Sequence, residues 1–178
     1  MAEEKKEPWL NYLALSTIIL AVCATMATFK GGGYSTRSVL SQTQASDQWA
    51  FFQSKSIKGY LYEMQKDQME IQLKNLNGKL SPELAAEYQK KIDAYGSKIA
   101  KYESEKQKIQ ADAKKLEEVR DDAQRHGKAF GVAVIFLQIA ILFSSIAALL
   151  KKKYIWVIGV AVGAYGILQF ANGFFLFM

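Results

Sequence analysis

The sequence predicts an all-α membrane protein. Three transmembrane helices are expected, with a long antiparallel helical-hairpin arm of coiled-coil type between spans one and two. Three observations predict it. Residues 9–29, 129–150 and 154–178 are apolar runs without Asp, Glu, Lys or Arg. Each is long enough, at 1.5 Å of helical rise per residue, to cross a hydrocarbon core of about 30 Å. Between the first two runs, residues 30–128 carry 18 Lys plus Arg against 14 Asp plus Glu, with both signs interspersed. The only prolines, Pro8 and Pro82, both stand where helices are expected to begin.

Taken in order, residues 1–8 form a polar tail. Pro8 suits a first helical turn and Trp9 a membrane interface, so span one covers 9–29 and ends before Lys30. Gly31-Gly32-Gly33 lose much entropy in a helix and predict a hinge. The arm, residues 30–128, then reads as two helices. The first runs from Tyr34 to Leu76 and stops at Asn77-Gly78, where glycine can adopt a left-handed cap. The second opens with Ser81 as N-cap, Pro82 at the first position and Glu83 on the positive end of the dipole. So short a connection implies an antiparallel pair, reaching roughly 60 Å from the bilayer if helical throughout. No proline interrupts 83–150, so the second helix should run on into span two, 129–150. The loop 151–153 and span three, 154–178, complete the chain.

The second arm helix carries the clearest pattern. Tyr88, Ile92, Tyr95, Ile99, Tyr102, Lys106, Ile109, Ala113, Leu116, Arg120 and Ala123 alternate in steps of four and three, which is a heptad seam. Lys106 and Arg120 are expected to pack their stems and keep their heads in water. On the first arm helix, the matching seam is expected at Ile57, Leu61, Met64, Gln68 and Ile71. Trp49, Phe51, Phe52, Tyr60 and Tyr62 lie off that seam. A helix apolar around much of its circumference needs more than one neighbour, so these five are expected to form an oligomer interface.

Gln138, Ser144 and Ser145 lie in span two, and Gln169 and Asn172 in span three. With no ionisable residue beside them, they are expected to join helices within a bundle. Gly159, Gly163 and Gly166 offer a small-residue face for close packing. The short loop Lys151-Lys152-Lys153, helped by Lys5 and Lys6, predicts a cytoplasmic loop and N-terminus, with the arm and C-terminus outside. In a diderm host this is the inner membrane. Lys108, Lys114, Lys115, Arg120, Arg125 and Lys128 lie on the arm side, but long translocated segments largely escape the rule.

Several function classes are excluded on chemistry. The mixed charges form no single-sign stripe for nucleic acid. There is one histidine, His126, one cysteine, Cys23, and no metal-ligand spacing, nucleophile elbow or phosphate loop. Asp47, beside Trp49, is expected in a salt bridge or hydrogen bond within the hairpin. No enzyme activity, cofactor or metal is expected.

The segment Ala45-Ser46-Asp47-Gln48-Trp49-Ala50-Phe51-Phe52-Gln53-Ser54-Lys55-Ser56-Ile57-Lys58 is distinctive. So are Phe136-Leu137-Gln138-Ile139-Ala140-Ile141, Ser144-Ser145-Ile146-Ala147 and Lys153-Tyr154-Ile155-Trp156. Together, from about Val39 onward, they resemble the bacterial membrane proteins of the domain-of-unknown-function 4337 family. The glycine run at 31–33 is not part of that resemblance. The resemblance implies the three-span layout and supplies no activity. The function expected from the residues is a homo-oligomeric scaffold or accessory subunit. Its partners would be the bilayer, copies of itself and another membrane protein. The second reading is an oligomeric channel or pore.

Overall fold

The computed structural model describes residues 8–76 and 80–178. They form three helices, α1 (Pro8–Asn75), α2 (Pro82–Leu150) and α3 (Lys153–Phe175). No strand occurs among the described residues. By length and composition, each helix contains a stretch able to cross a membrane. The charged tail with Lys5 and Lys6, and the Asn77-Gly78 cap, lie outside the described residues.

Local chemistry sets the helix ends. Pro8 opens α1, where its missing N–H is not needed. At the start of α2, Ser81 Oγ accepts the Leu84 N–H at 3.3 Å, and Glu83 stands in the first turn. Helix α2 stops at Leu150 because Lys151 turns left-handed (φ 51°), and the Lys152 N–H reaches back to Ala147 O at 3.2 Å. That is the long bond of a Schellman termination. Helix α3 ends similarly: Leu176 is left-handed and donates to Asn172 O at 2.8 Å.

The glycine run does not break α1, which stays helical through Gly31, Gly32 and Gly33. The expected hinge is therefore corrected, and packing supplies the reason at Gly31. A Cβ on Gly31 would lie 3.1 Å from Phe130 Cβ, so the missing side chain lets another helix approach. Gly31 alone of the three makes such an approach. Cβ atoms on Gly32 and Gly33 would meet nothing within 4 Å, so those two carry the propensity cost, roughly 1 kcal/mol each, with no packing in return.

The described chain divides into two compact units, at Leu40/Ser41 and at Glu118/Val119. The unit that includes all of α3 has a core of Leu20, Ala24, Ala27, Phe130, Ala133, Leu137 and Ala140. Small residues dominate, so the backbones come close. The glycine face of α3 fits against this core. Cβ atoms on Gly159, Gly163 and Gly166 would fall 3.0 Å from Phe143 Cβ, 2.8 Å from Leu20 Cδ2 and 2.9 Å from Leu137 Cγ. At the helix ends holding Trp9, its ring lies 6.3 Å from that of Trp156, and Trp156 Nε1 donates to Ser16 Oγ at 3.1 Å.

In the other unit, residues 41–118, every seam position on α2 from Tyr88 to Leu116 is buried or half-buried. The partner stripe on α1 differs from the expected one. Ser41, Ala45, Gln48, Phe52, Lys55, Gly59, Tyr62, Lys66, Met69 and Leu73 are all buried or half-buried, in unbroken steps of four and three. Ile57, Leu61, Met64, Gln68 and Ile71 are exposed instead. The register is corrected, and the shape of the α2 seam explains it. That seam is rich in tyrosine, and small or aromatic residues of α1 lie against its rings. Gly59 makes room for Tyr102, whose Cβ would lie 4.0 Å from a Cβ there. Tyr62 packs beside both Tyr102 and Tyr95, with ring centres 5.8 and 5.7 Å away.

Candidate functional site

Contacts within residues 41–118 come in a ladder. Trp49 Nε1 donates to Glu117 Oε1 at 2.9 Å. Lys55 Nζ lies 2.6 Å from Glu105 Oε2, and 5.3 Å from the centre of the Tyr102 ring. Lys98 Nζ donates to Tyr62 Oη at 3.4 Å. As the residue number rises on α1, it falls on α2. Lys106 holds Glu103 at 2.7 Å and also faces the Phe52 and Tyr60 rings, at 5.5 and 5.9 Å from their centres. Its head therefore has protein partners as well as a packed stem.

These contacts tune the charges. The Lys55 hydrogen bond holds the Glu105 carboxyl below its usual range, with Lys101 and Lys108 adding to the effect. Glu103 raises Lys106 above the ordinary lysine value. Arg120, bonded to Asp121 at 2.8 Å, lowers that carboxyl. In each case, stabilising the charged form is the cause.

The five aromatic residues expected at an oligomer interface separate into two sets. Trp49, Phe52 and Tyr62 are half-buried against their own chain, and Trp49 meets Phe52 edge-on at 5.5 Å. Phe51 and Tyr60 are exposed. Asp47 is also exposed and makes no ion pair or hydrogen bond among the described residues, contrary to expectation. Glu117, not Asp47, is the acid that engages the tryptophan.

The outward side of α1 carries the most conspicuous surface in this unit. Ile57, Leu61, Met64 and Ile71 are 60, 50, 66 and 58% exposed, respectively. Among the described residues of α2 up to Glu118, only Leu84 is a large exposed apolar side chain. Apolar exposure is thus concentrated on one helix.

In the other unit, the polar groups of the apolar runs mostly bond along their own helix. Ser144 Oγ donates to Ala140 O at 3.0 Å, and Ser145 Oγ to Ile141 O at 2.9 Å. Gln169 Nε2 donates to Tyr165 Oη at 2.9 Å. Asn172 reaches Gln169 Oε1 at 3.3 Å and accepts the Met178 N–H at 2.9 Å. Gln138 is exposed and bonds to nothing among the described residues. The side-chain bonds of Ser144, Ser145 and Gln169 run along their own helix and not across to another; a serine hydroxyl readily reaches its own i−4 carbonyl. Ser144 and Asn172 are nevertheless buried, and α3 closes on its neighbours through glycine instead.

Two polar contacts that do join helices here are the Trp156 bond to Ser16 and one that involves His126. Its Nδ1 lies 2.8 Å from Gly173 O. A carbonyl only accepts, so Nδ1 carries the proton, and the bond satisfies a carbonyl in the last turn of α3. Tyr34 stacks on the imidazole at 4.6 Å, and Phe130 follows at 5.8 Å from Tyr34. Asp122 Oδ1 is 3.8 Å from His126 Nε2. This arrangement ties the end of α3 to α2. Among the described residues, no three His, Cys, Asp or Glu side chains converge as metal ligands.

These observations define the class: an all-helical chain with three segments apolar enough to span a membrane. A family model described as "Domain of unknown function (DUF4337)" matches residues 9–176, and the chain belongs to that family. No curated protein and no solved structure matches the chain.

Proposed function

We propose that this chain is a non-enzymatic integral membrane protein that acts as a homo-oligomeric scaffold or accessory subunit. In this reading the three apolar segments span the bilayer, and residues 41–118 form an antiparallel coiled-coil hairpin outside it. The Lys151–Lys153 loop faces the cytoplasm. The membrane part is supported by outward residues such as Ile18, Ile135, Leu149 and Leu168, which suit hydrocarbon. One observation carries the scaffold part: an apolar heptad stripe left uncovered on α1, in a segment otherwise rich in charge. Soluble surfaces avoid such patches unless they bind something.

The test uses Lys90→Cys, an exposed arm position, in a Cys23→Ala background. The protein should stay in the membrane fraction after alkaline carbonate, and the new thiol should react with an impermeant maleimide in intact spheroplasts. Labelling only after lysis would reverse the orientation, and release by carbonate would contradict membrane insertion.

Gln138 favours a second reading, an oligomeric pore. Its exposed amide has no partner among the described residues and would be costly against lipid, but would suit a polar lining. Ion flux through vesicles reconstituted with wild type, lost in Gln138→Leu, would select the pore. The scaffold reading expects no flux from either protein.

A further inference from the structure

We infer that the outward stripe of α1 docks a second copy of this chain, parallel and in register, with the two Gln68 side chains meeting within it. This rests on the proposed function and adds the partner, its direction and its register.

The spacing comes first. Ile57, Leu61, Met64, Gln68 and Ile71 step by four, three, four and three, so Leu61 and Gln68 take a positions, and Ile57, Met64 and Ile71 take d positions. The inner stripe, from Ser41 to Leu73, is a second heptad on the same helix. The two stripes lie about 150° apart on a helix of 3.5 residues per turn. Helix α2 covers one and therefore cannot cover the other.

Gln68 selects the partner and its direction. It is exposed, sits at an otherwise apolar seam and bonds to nothing among the described residues. In a parallel pair, an a residue meets the same a residue of the second copy. The two amides would then donate to and accept from each other, which is how a polar a residue sets register. In an antiparallel pair, a residues face d residues. Gln68 would then be buried against Ile57, Met64 or Ile71, which offer it no strong hydrogen-bond partner. An identical chain supplies the missing amide at the required height.

The flanks agree. Parallel pairing brings g positions beside e positions of the second copy: Gln53 with Lys58, Tyr60 with Gln65, and Asp67 with Gln72. None of these pairs joins like charges. An antiparallel pair could bring Asp67 near Lys74, but exposed ion pairs contribute little. Lipid does not fit this stripe, because Lys58, Glu63, Asp67 and Lys74 interleave both signs beside it. The stripe is short, and isolated helical segments of this length are marginal. Anchoring both copies in one bilayer fixes their direction and raises their effective concentration.

The test is disulfide crosslinking of the full chain in native membranes, in a Cys23→Ala background. Leu61→Cys and Gln68→Cys are each expected to give a homodimer on mild oxidation. Both positions are exposed, so neither change disturbs the inner stripe. Lys90→Cys, on α2, should give at least tenfold less product. Co-expressed Gln68→Cys and Ile71→Cys chains carrying different tags should give mainly same-variant dimers. A mixed dimer in excess would overturn the parallel register. Absence of product at both Leu61→Cys and Gln68→Cys, in protein that resists carbonate, would overturn the docking surface and leave the membrane reading intact. A crosslinked product of any mass other than twice the chain would make another protein the occupant. Release by carbonate would instead remove the membrane reading itself.

Discussion

The indole of Trp49 donates to Glu117 Oε1 at 2.9 Å, across 68 residues of sequence. This bond turns the most distinctive aromatic of the chain toward its own α2. Its neighbour Phe51, two positions on, faces outward. The segment from Asp47 to Lys58 is therefore first a device for holding residues 41–118 together. Its outward members are what remains for other molecules.

Trp49→Ala should destabilise the protein by about 2 kcal/mol, since it removes a large half-buried ring and leaves Glu117 without its donor. Phe51→Ala should fall within about 0.5 kcal/mol of wild type, as expected of an exposed position. Thermal unfolding of the full chain in detergent, followed by helical circular dichroism, would show the difference. Equal losses would place Trp49 on the surface instead.

Glycines should differ according to what they face. A Cβ on Gly173 would lie 2.7 Å from the Phe130 ring, which is fully buried. Gly173→Ala should cost about 1–3 kcal/mol through overpacking. Gly32 has nothing within 4 Å, so Gly32→Ala should stabilise helix α1 by roughly 0.5–1 kcal/mol. The same unfolding measurement applies. A stabilising Gly173→Ala would refute the close approach of α3.

Acid should weaken residues 41–118 through Glu105. Its folded-state value is depressed by Lys55, so its contribution is complete above the unfolded carboxylate value, about 4.3. That contribution is lost as pH falls through the depressed folded value. The unfolding temperature should therefore drop between pH 7 and pH 3, and by less in Glu105→Gln. An identical drop in both proteins would assign the acid sensitivity to other groups.

Much of the fold was legible where one physical rule dominated. Apolar runs marked the three long segments, Ser81 and Pro82 marked the start of α2, and the spacing from Tyr88 to Leu116 marked its inward face. The inward face of α1 was not legible, because a search for apolar periodicity selects Ile57, Leu61 and Met64. The face that packs carries Ser41, Gln48, Lys55 and Gly59, chosen by tyrosine rings and carboxylates on α2. Gly31 read as a breaker because the proximity of Phe130 is invisible along the chain. Nothing in sequence spacing joined His126 to Gly173 or Trp49 to Glu117. Such pairs depend on how helices meet, not on how each one begins.

Two opposed stripes on α1, one closed within the chain and one open to a second copy, are the centre of this account. Native mass measurement of the detergent-solubilised protein tests it most directly. Wild type should appear as a multiple of the 20.0 kDa chain. Leu61→Asp should appear as a single chain with unchanged helicity, because a charge there spoils the outward stripe and leaves the inner one intact. A wild-type protein of single-chain mass, or a Leu61→Asp variant that keeps the wild-type multiple, would contradict the account.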